Sequence, residues 1–552
     1  MADALQFKPS NNPCKRSRLQ GLLFSLSLVL GWGVGIPATL AAETVTIRFG
    51  PFQPSVAIAD IEKFAKTGTL SKTLQAYESF LTPELRELLN RRVQVDPKFA
   101  DKFVDELVLL PQGKQVITSL EAAVPGSTKE SLQAAISIGL RQVNGLSAIS
   151  FLKAYPTANI NLDVTQLLQI TTELNPNNLQ SQALGSLLAR DLIVKNNTPF
   201  QPTFDPAATG QEAVEQQTLT FQDKQRQRNI PVDIYWSQKT DTTAPLVVIS
   251  HGFGANRRFA SYLAHHLASH GISVAAIEHP GSNSVAITNT SNQGNLAQLL
   301  PAKEFIDLPK DISFLLNELA ILNTQPGQLQ GKLNTDKVTV IGHSLGGYTA
   351  LTLVGGEVNL EEVRQFCKTS LSFAKAPGDW LQCSAASLKE KKIQLRDERV
   401  KSAIALNPLT GKLFGKQGLS RITKPVLILT ATEDALTPAL THQIRPFTQL
   451  RSSKYLLTAI GATHLSIIDP AYPVGEASRI IKEKRGQETQ PLRQLVRSVS
   501  LAFIKQLTPE AQTYQPFLTA DYAQSLSTPE LPLRLNSDLP TNIKPWLDLA
   551  VK

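Results

Sequence analysis

A serine lodged between glycines at the end of an apolar run is the first place where this chain could do chemistry. Gly342-His343-Ser344-Leu345-Gly346 follows Val338 to Ile341, a stretch that reads as a buried strand, and precedes helix formers. This is a G-x-S-x-G pattern. It sets the Ser on a sharp strand-to-helix turn, with Gly342 and Gly346 where a Cβ would clash. A Ser in that place also reads as a plain helix cap, so its partners must decide. A free hydroxyl is a weak nucleophile and needs a base, which in turn needs an orienting acid. Only two of the eight histidines follow Ser344. His442, in "LTPALTHQIRPF", reads as a surface residue of a helix. His464, in the turn "GATH" after the strand "YLLTAI", is the better base. Between Ser344 and His464 in the chain, Asp434 ends the strand of "LILTATEDALTP", and neighbouring Glu433 should point the other way. An oxyanion formed on the substrate needs two main-chain N–H donors. Leu345, after the nucleophile, supplies one. Phe253, in "HGFGANRR" after the strand "VVIS", supplies the other. The chemistry so assembled is acyl transfer through Ser344, Asp434 and His464. His266 and His270 share a helix face at i, i+4, but no third ligand accompanies them, so no metal site is expected. His343 reads as a packing residue, and "EHPGSNS" (278–284) as a pocket wall or a turn.

The elements that must hold these residues alternate. "QTLTFQD" and "IPVDIYW" read as a hairpin, and then short apolar strands alternate with helices: "PLVVIS", "ISVAAIE", "VTVIG", "SAIALN", "PVLILTA" and "KYLLTAI". That alternation implies a mostly parallel sheet with helices on both faces, whose ligands bind beyond the strands' carboxyl ends. Each candidate residue stands at such an end. Residues 43–195 read instead as a smaller all-α domain. In it Thr82 caps "PELRELL", and Ser127 with Glu130 form a capping box before "SLQAAISIGL". Residues 196–210, rich in Pro, Asn and Gly, read as a linker, 211–510 as the α/β catalytic domain, and 511–552 as a C-terminal tail.

Residues 1–42 carry a basic segment (Lys8, Lys15, Arg16, Arg18), the apolar run Leu22 to Leu30, and small residues up to Ala42. This is the pattern of a secretory signal, with a retained membrane anchor as the alternative. Export would be periplasmic or extracellular. Without Asp3 and those four cations, the remaining chain has 51 basic and 45 acidic residues and no block of one sign, so nucleic acid is not an expected partner. It keeps two cysteines, Cys367 and Cys383, which in an oxidising compartment read as a disulfide. Both lie in a stretch, about 357–398, inserted between the helix after Ser344 and the next strand. With Leu371, Phe373, Trp380 and Leu381 it reads as a lid offering lipid or membrane-surface contact, or as a decorative excursion.

Residues 211–510 resemble the α/β-hydrolase superfamily. "VVISHGFGANRRFASYLAHHLASHGISVAAIEHPGSN" resembles the dienelactone-hydrolase and platelet-activating-factor-acetylhydrolase branch. "ATEDALTPALTHQIRPF" with "GATH" resembles cutinase-type polyester hydrolases. The whole chain is similar to uncharacterised cyanobacterial α/β hydrolases with a helical N-terminal domain. The resemblance implies a Ser344–Asp434–His464 triad, no cofactor, and an ester substrate, small or lipid-like. In the acetylhydrolase branch the acid follows the preceding strand, where this chain has Asn407. The same triad would serve an amidase or peptidase, and a binding protein could retain it as a vestige.

Overall fold

The computed structural model describes residues 42–547 apart from 49–52, 76, 79–80, 82, 91, 93–100, 102–103, 106–110, 143–144, 164–165, 168–175, 196–199, 293–299, 370–374, 474–482 and 545–546. The leader expected over residues 1–42, the cap at Thr82, and Leu371 and Phe373 of the insertion therefore lie outside the described residues, save for Ala42.

The N-terminal region is not all-helical. Strand β1 (Thr44–Arg48) pairs antiparallel with β2 (Ser55–Ala57) and parallel with β3 (Asn159–Asp163). The alternation in "TVTIR" buries Val45, which joins Ile58, Leu132, Leu140, Leu152 and Ile160 in a small core. The expected capping box also moves by one residue. Thr128, not Ser127, caps helix Lys129–Arg141 and is answered by Ser131 rather than Glu130.

Among the described residues, the region from about 211 onward is built on a nine-stranded sheet. In chain order its strands are β4 (Val214–Asp223), β5 (Arg228–Ser237), β6 (Leu246–Ser250), β7 (Val274–Ile277) and β8 (Val338–His343). After a two-stranded ribbon, β9 (Val358–Asn359) with β10 (Lys392–Ile393), come β11 (Val400–Leu406), β12 (Val426–Ala431), β13 (Lys454–Ala459) and β14 (Leu533–Asn536). Their spatial order is β14-β13-β12-β11-β8-β6-β7-β5-β4. The six from β7 to β13 run parallel, and the flanking pairs are antiparallel. Val, Ile, Leu and Ala fill both faces because helices cover both. From β6 the chain turns first to β7 and then to β8 on the opposite side. The crevice at that reversal, beyond the carboxyl ends of β6 and β8, is where such sheets hold ligands.

The peripheral segments are more integrated than their composition suggests. Helix Pro176–Asp191 places Leu184 and Leu188 in the hydrolase core. The expected linker is pinned where Phe200 and Phe204 pack on Tyr514, Phe517 and Tyr522. The expected C-terminal tail supplies those three rings and strand β14. Among the described residues, no helix is long and apolar enough to cross a membrane.

Candidate active site

Ser344 leaves β8 with φ 54° and ψ −114°, a left-handed backbone that costs a non-glycine residue about 1–3 kcal/mol. Its neighbours hold it there. Its N–H donates to Leu406 O (2.9 Å), and its carbonyl accepts from Leu409 N (2.9 Å) and Tyr348 N (3.1 Å). A Cβ on Gly342 would overlap the Gly346 carbonyl, and one on Gly346 would overlap the Ser250 carbonyl. Both glycines are therefore required by close backbone approach. Ser344 is only 7% exposed, less than a surface elbow would give, but it is not sealed.

Asp434 follows β12, and His464 follows β13. The two are joined by a 2.7 Å hydrogen bond from His464 Nδ1 to Asp434 Oδ2. Oδ1 accepts the N–H groups of Leu436 (2.9 Å) and Thr437 (2.8 Å), and Oδ2 also takes the Thr437 hydroxyl (2.8 Å). Burial pushes the Asp434 pKa up, but His464 and Thr437 more than offset it and hold the carboxyl below its usual value. Burial pushes His464 down, but the Asp434 charge and hydrogen bond win and hold the imidazole above its usual value. Because Nδ1 faces the acid, Nε2 is the free edge of the ring. Among the described residues no hydrogen bond joins Ser344 to His464, and such contacts tighten once substrate is bound. Glu433 faces away and pairs with Lys484 at 2.8 Å.

The loop after β6 borders the serine: a Cβ on Gly252 would sit 3.1 Å from that of Ser344. Among the described residues the main-chain N–H groups of Phe253, in that loop, and of Leu345, which follows the serine, have no hydrogen bond.

Several residues do more here than the sequence suggests. His343 is bonded to the His464 carbonyl through Nε2 (3.0 Å), and its ring packs 4.6 Å from that of His464. Burial, then repulsion by His464, pushes its pKa down to about 3, so it is a neutral donor. Asn407, with φ 44°, donates from Nδ2 to the same carbonyl at 3.0 Å. Glu483 takes the N–H of Leu465 (2.8 Å) and is pushed up to about 7 by burial. His442, read as a surface residue, is fully buried, with Nε2 3.1 Å from Asp379 of the insertion. No sequence signal marks that pairing, whose partners are 63 residues apart. His266 and His270 stack edge to face at 4.7 Å.

The insertion carries the disulfide Cys367–Cys383. Its helix Pro377–Cys383 is fastened to the loop of Asp434, where Gly378 N donates to Leu436 O (2.8 Å), and to the segment after β11, where Gln382 accepts from Lys412 N (2.7 Å).

The family model for platelet-activating factor acetylhydrolase, isoform II, matches residues 211–325 and 318–516. A model described as an α/β hydrolase of unknown function matches residues 41–163. Platelet-activating factor acetylhydrolase of Cavia porcellus is 23% identical over 309 residues, covering 50% of this chain and 61% of that protein. The enzyme of that name from Canis lupus familiaris is 35% identical over 145 residues, 20% of this chain and 32% of the relative. The chain thus spans about three-fifths of the one relative's length and a third of the other's.

Proposed function

The chain belongs to the α/β-hydrolase superfamily, within the family of the platelet-activating factor acetylhydrolase isoform II model, and from that premise we propose that it is a serine-dependent carboxylic ester hydrolase. Ser344 Oγ attacks the ester carbonyl while His464 Nε2 takes its proton. Asp434 keeps the other imidazole proton on Nδ1 and stabilises the imidazolium. The N–H groups of Phe253 and Leu345 receive the oxyanion. Collapse expels the alcohol, protonated by His464, and leaves an acyl-enzyme on Ser344. Water activated by the same imidazole then releases the acid.

The observation that carries this reading is the left-handed backbone of Ser344, held against its cost next to a hydrogen-bonded Asp–His pair. A helix cap needs no such conformation. The substrate is a lipid-like ester. The acetylhydrolase relatives support this, as do the exposed apolar Val285 and Trp380. Val285 lies on helix Ser284–Asn292, whose Ile287 adjoins Gly254 of the loop after β6; Trp380 lies on the helix fastened to the acid loop. The enzyme is exported, a reading supported by the leader-like residues 1–42 and by the disulfide.

The test is a fluorophosphonate label with peptide mapping, alongside hydrolysis of p-nitrophenyl acetate. The native chain should label at Ser344, and Ser344→Ala should neither label nor turn over. Turnover that survives in Ser344→Ala refutes the assignment.

A further inference from the structure

Outside this site the molecule holds a second Ser–His–Asp line. Ser250 Oγ lies 2.9 Å from His279 Nε2, and His279 Nδ1 lies 3.0 Å from Asp311 Oδ2. Ser250 ends β6, His279 follows β7, and Asp311 lies in helix Glu304–Thr324. All three are 0% exposed, and Ser250 has no left-handed backbone, so no substrate reaches it. Asp311 is anchored from behind by Arg226 (2.7 Å) and Arg228 (2.8 Å), which also bind Asp223, Glu304 and Asp307. A buried cluster of this cost needs an object, and what it touches is the loop that carries Phe253.

The main-chain N–H of His279 donates to His251 Nε2 at 3.0 Å. His251 must then carry its proton on Nδ1, which donates to the Gly252 carbonyl at 2.8 Å. Burial, then the neighbouring His279, pushes the His251 pKa down to about 3, so this neutral tautomer persists. The same carbonyl accepts a second bond from Ala255 N (3.2 Å). In a trans peptide the C=O and the following N–H point to opposite sides of the chain. A Gly252 carbonyl held toward His251 therefore turns the Phe253 N–H the other way, where nothing among the described residues accepts it.

We propose that His279 is a positioning residue for the oxyanion loop: its ring fixes Ser250, its main-chain N–H fixes His251, and His251 sets the plane of the Gly252–Phe253 peptide. This rests on the reading of Ser344 as the acylated nucleophile. Loss of one oxyanion donor costs about 10²–10³ in kcat, and mis-aiming one should cost part of that.

Two substitutions in the full-length chain separate the two sides of the ring. In His279→Asn the amide nitrogen replaces Nδ1, keeping Asp311 and losing Ser250. In His279→Gln it reaches the position of Nε2 and keeps Ser250. With p-nitrophenyl acetate, His279→Asn should lose at least about tenfold in kcat with KM within about twofold, while His279→Gln stays within about threefold of the native enzyme. Ser250→Ala, a smaller change, should behave as His279→Asn does. Near-native kcat in His279→Asn and Ser250→Ala, with Ser344→Ala inactive, overturns the positioning role alone. Equal losses in the Asn and Gln variants that follow their Tm also overturn it, since a purely structural role predicts that pattern. Turnover in Ser344→Ala overturns both readings together.

Discussion

Replacing Asp434 by Asn is the substitution whose consequence the geometry specifies most fully. Oδ1 accepts two main-chain N–H groups, from Leu436 and Thr437, so the amide oxygen of Asn must keep that side. The amide NH₂ then replaces Oδ2 and meets His464 Nδ1 at the former 2.7 Å contact. Two N–H groups cannot face each other, so the imidazole proton moves to Nε2, where it can no longer accept from Ser344. In a triad that change costs about 10⁴ in kcat, or about 5.5 kcal/mol of transition-state stabilisation. The fold should survive, because the pair of N–H bonds to Oδ1 persists and no volume changes. There is a second signature. The Asp434 charge is the larger of the two that hold the His464 pKa up against burial, so without it the imidazole pKa falls. Residual activity should therefore persist to lower pH than in the native enzyme. The assay is kcat/KM for p-nitrophenyl acetate across pH 5–9, with Tm measured on the same samples. Glu433→Gln should be nearly silent, because Glu433 pairs with Lys484. Asn407→Asp should not rescue Asp434→Asn, since it would set a carboxylate against the His464 carbonyl that Asn407 now donates to. Activity within tenfold of native in Asp434→Asn, or rescue by Asn407→Asp, refutes the assignment of the acid.

In the native enzyme, the acid limb of kcat/KM should have its midpoint above the ordinary imidazole value, because the raised His464 pKa keeps the base protonated to higher pH. Glu483→Gln should shift that limb toward lower pH, since the Glu483 charge also raises the His464 pKa; a shift to higher pH counts against it. Gly342→Ala should lower Tm and abolish labelling, because the added methyl overlaps the Gly346 carbonyl and overpacking costs about 1–3 kcal/mol or more; a native-like variant would mean the elbow tolerates a Cβ. The disulfide closes a segment with a sequence separation of 16, worth about 3 kcal/mol in the chain-entropy model. Its reduction should lower activity more than global stability, since helix Pro377–Cys383 bonds the acid loop at Leu436; unchanged kinetics after confirmed reduction count against that coupling.

The strands of the large sheet were legible because parallel strands covered on both faces become continuous apolar runs, and the three candidate residues stood out because each follows such a run. Ser344, Asp434 and His464 could be placed at strand ends before any distance was known. What stayed hidden depends on partners far away in the chain. Strand β3 exists only because it pairs with β1, more than a hundred residues earlier. Strand β14, "LRLN", is four residues long with an arginine inside it, and only its register with β13 makes it a strand. His442 looked exposed because a lone polar residue in a helix gives no sign of the Asp379 that lets it be buried. The sequence showed His279 only within a stretch read as a pocket wall or a turn, because its partners Ser250 and Asp311 lie 29 and 32 residues away.

The two Ser–His–Asp lines in one chain show which features carry chemical meaning and which do not. Both join a His to an Asp, at 2.7 and 3.0 Å, but among the described residues only the second line also has its Ser–His bond. Connectivity alone would nominate Ser250. The backbone argues the other way. Ser344 is held in a left-handed conformation that its neighbours maintain at a cost, whereas Ser250 ends an ordinary strand. The imidazole surroundings separate them too. His464 has one edge on Asp434 and the other without a hydrogen bond among the described residues, whereas His279 is satisfied on both edges. A base that must accept a proton needs an unfilled edge, and a strut does not. The satisfied line lies one strand over from the unsatisfied one and ends on the loop bordering Ser344. A fully paired relay is rigid, and rigidity is what an oxyanion loop requires, since its donors must be aimed before charge develops. On the proposed reading the same three residue types do opposite work: one set keeps a bond unmade, and the other, by having made all of its own, keeps the donors beside it in place.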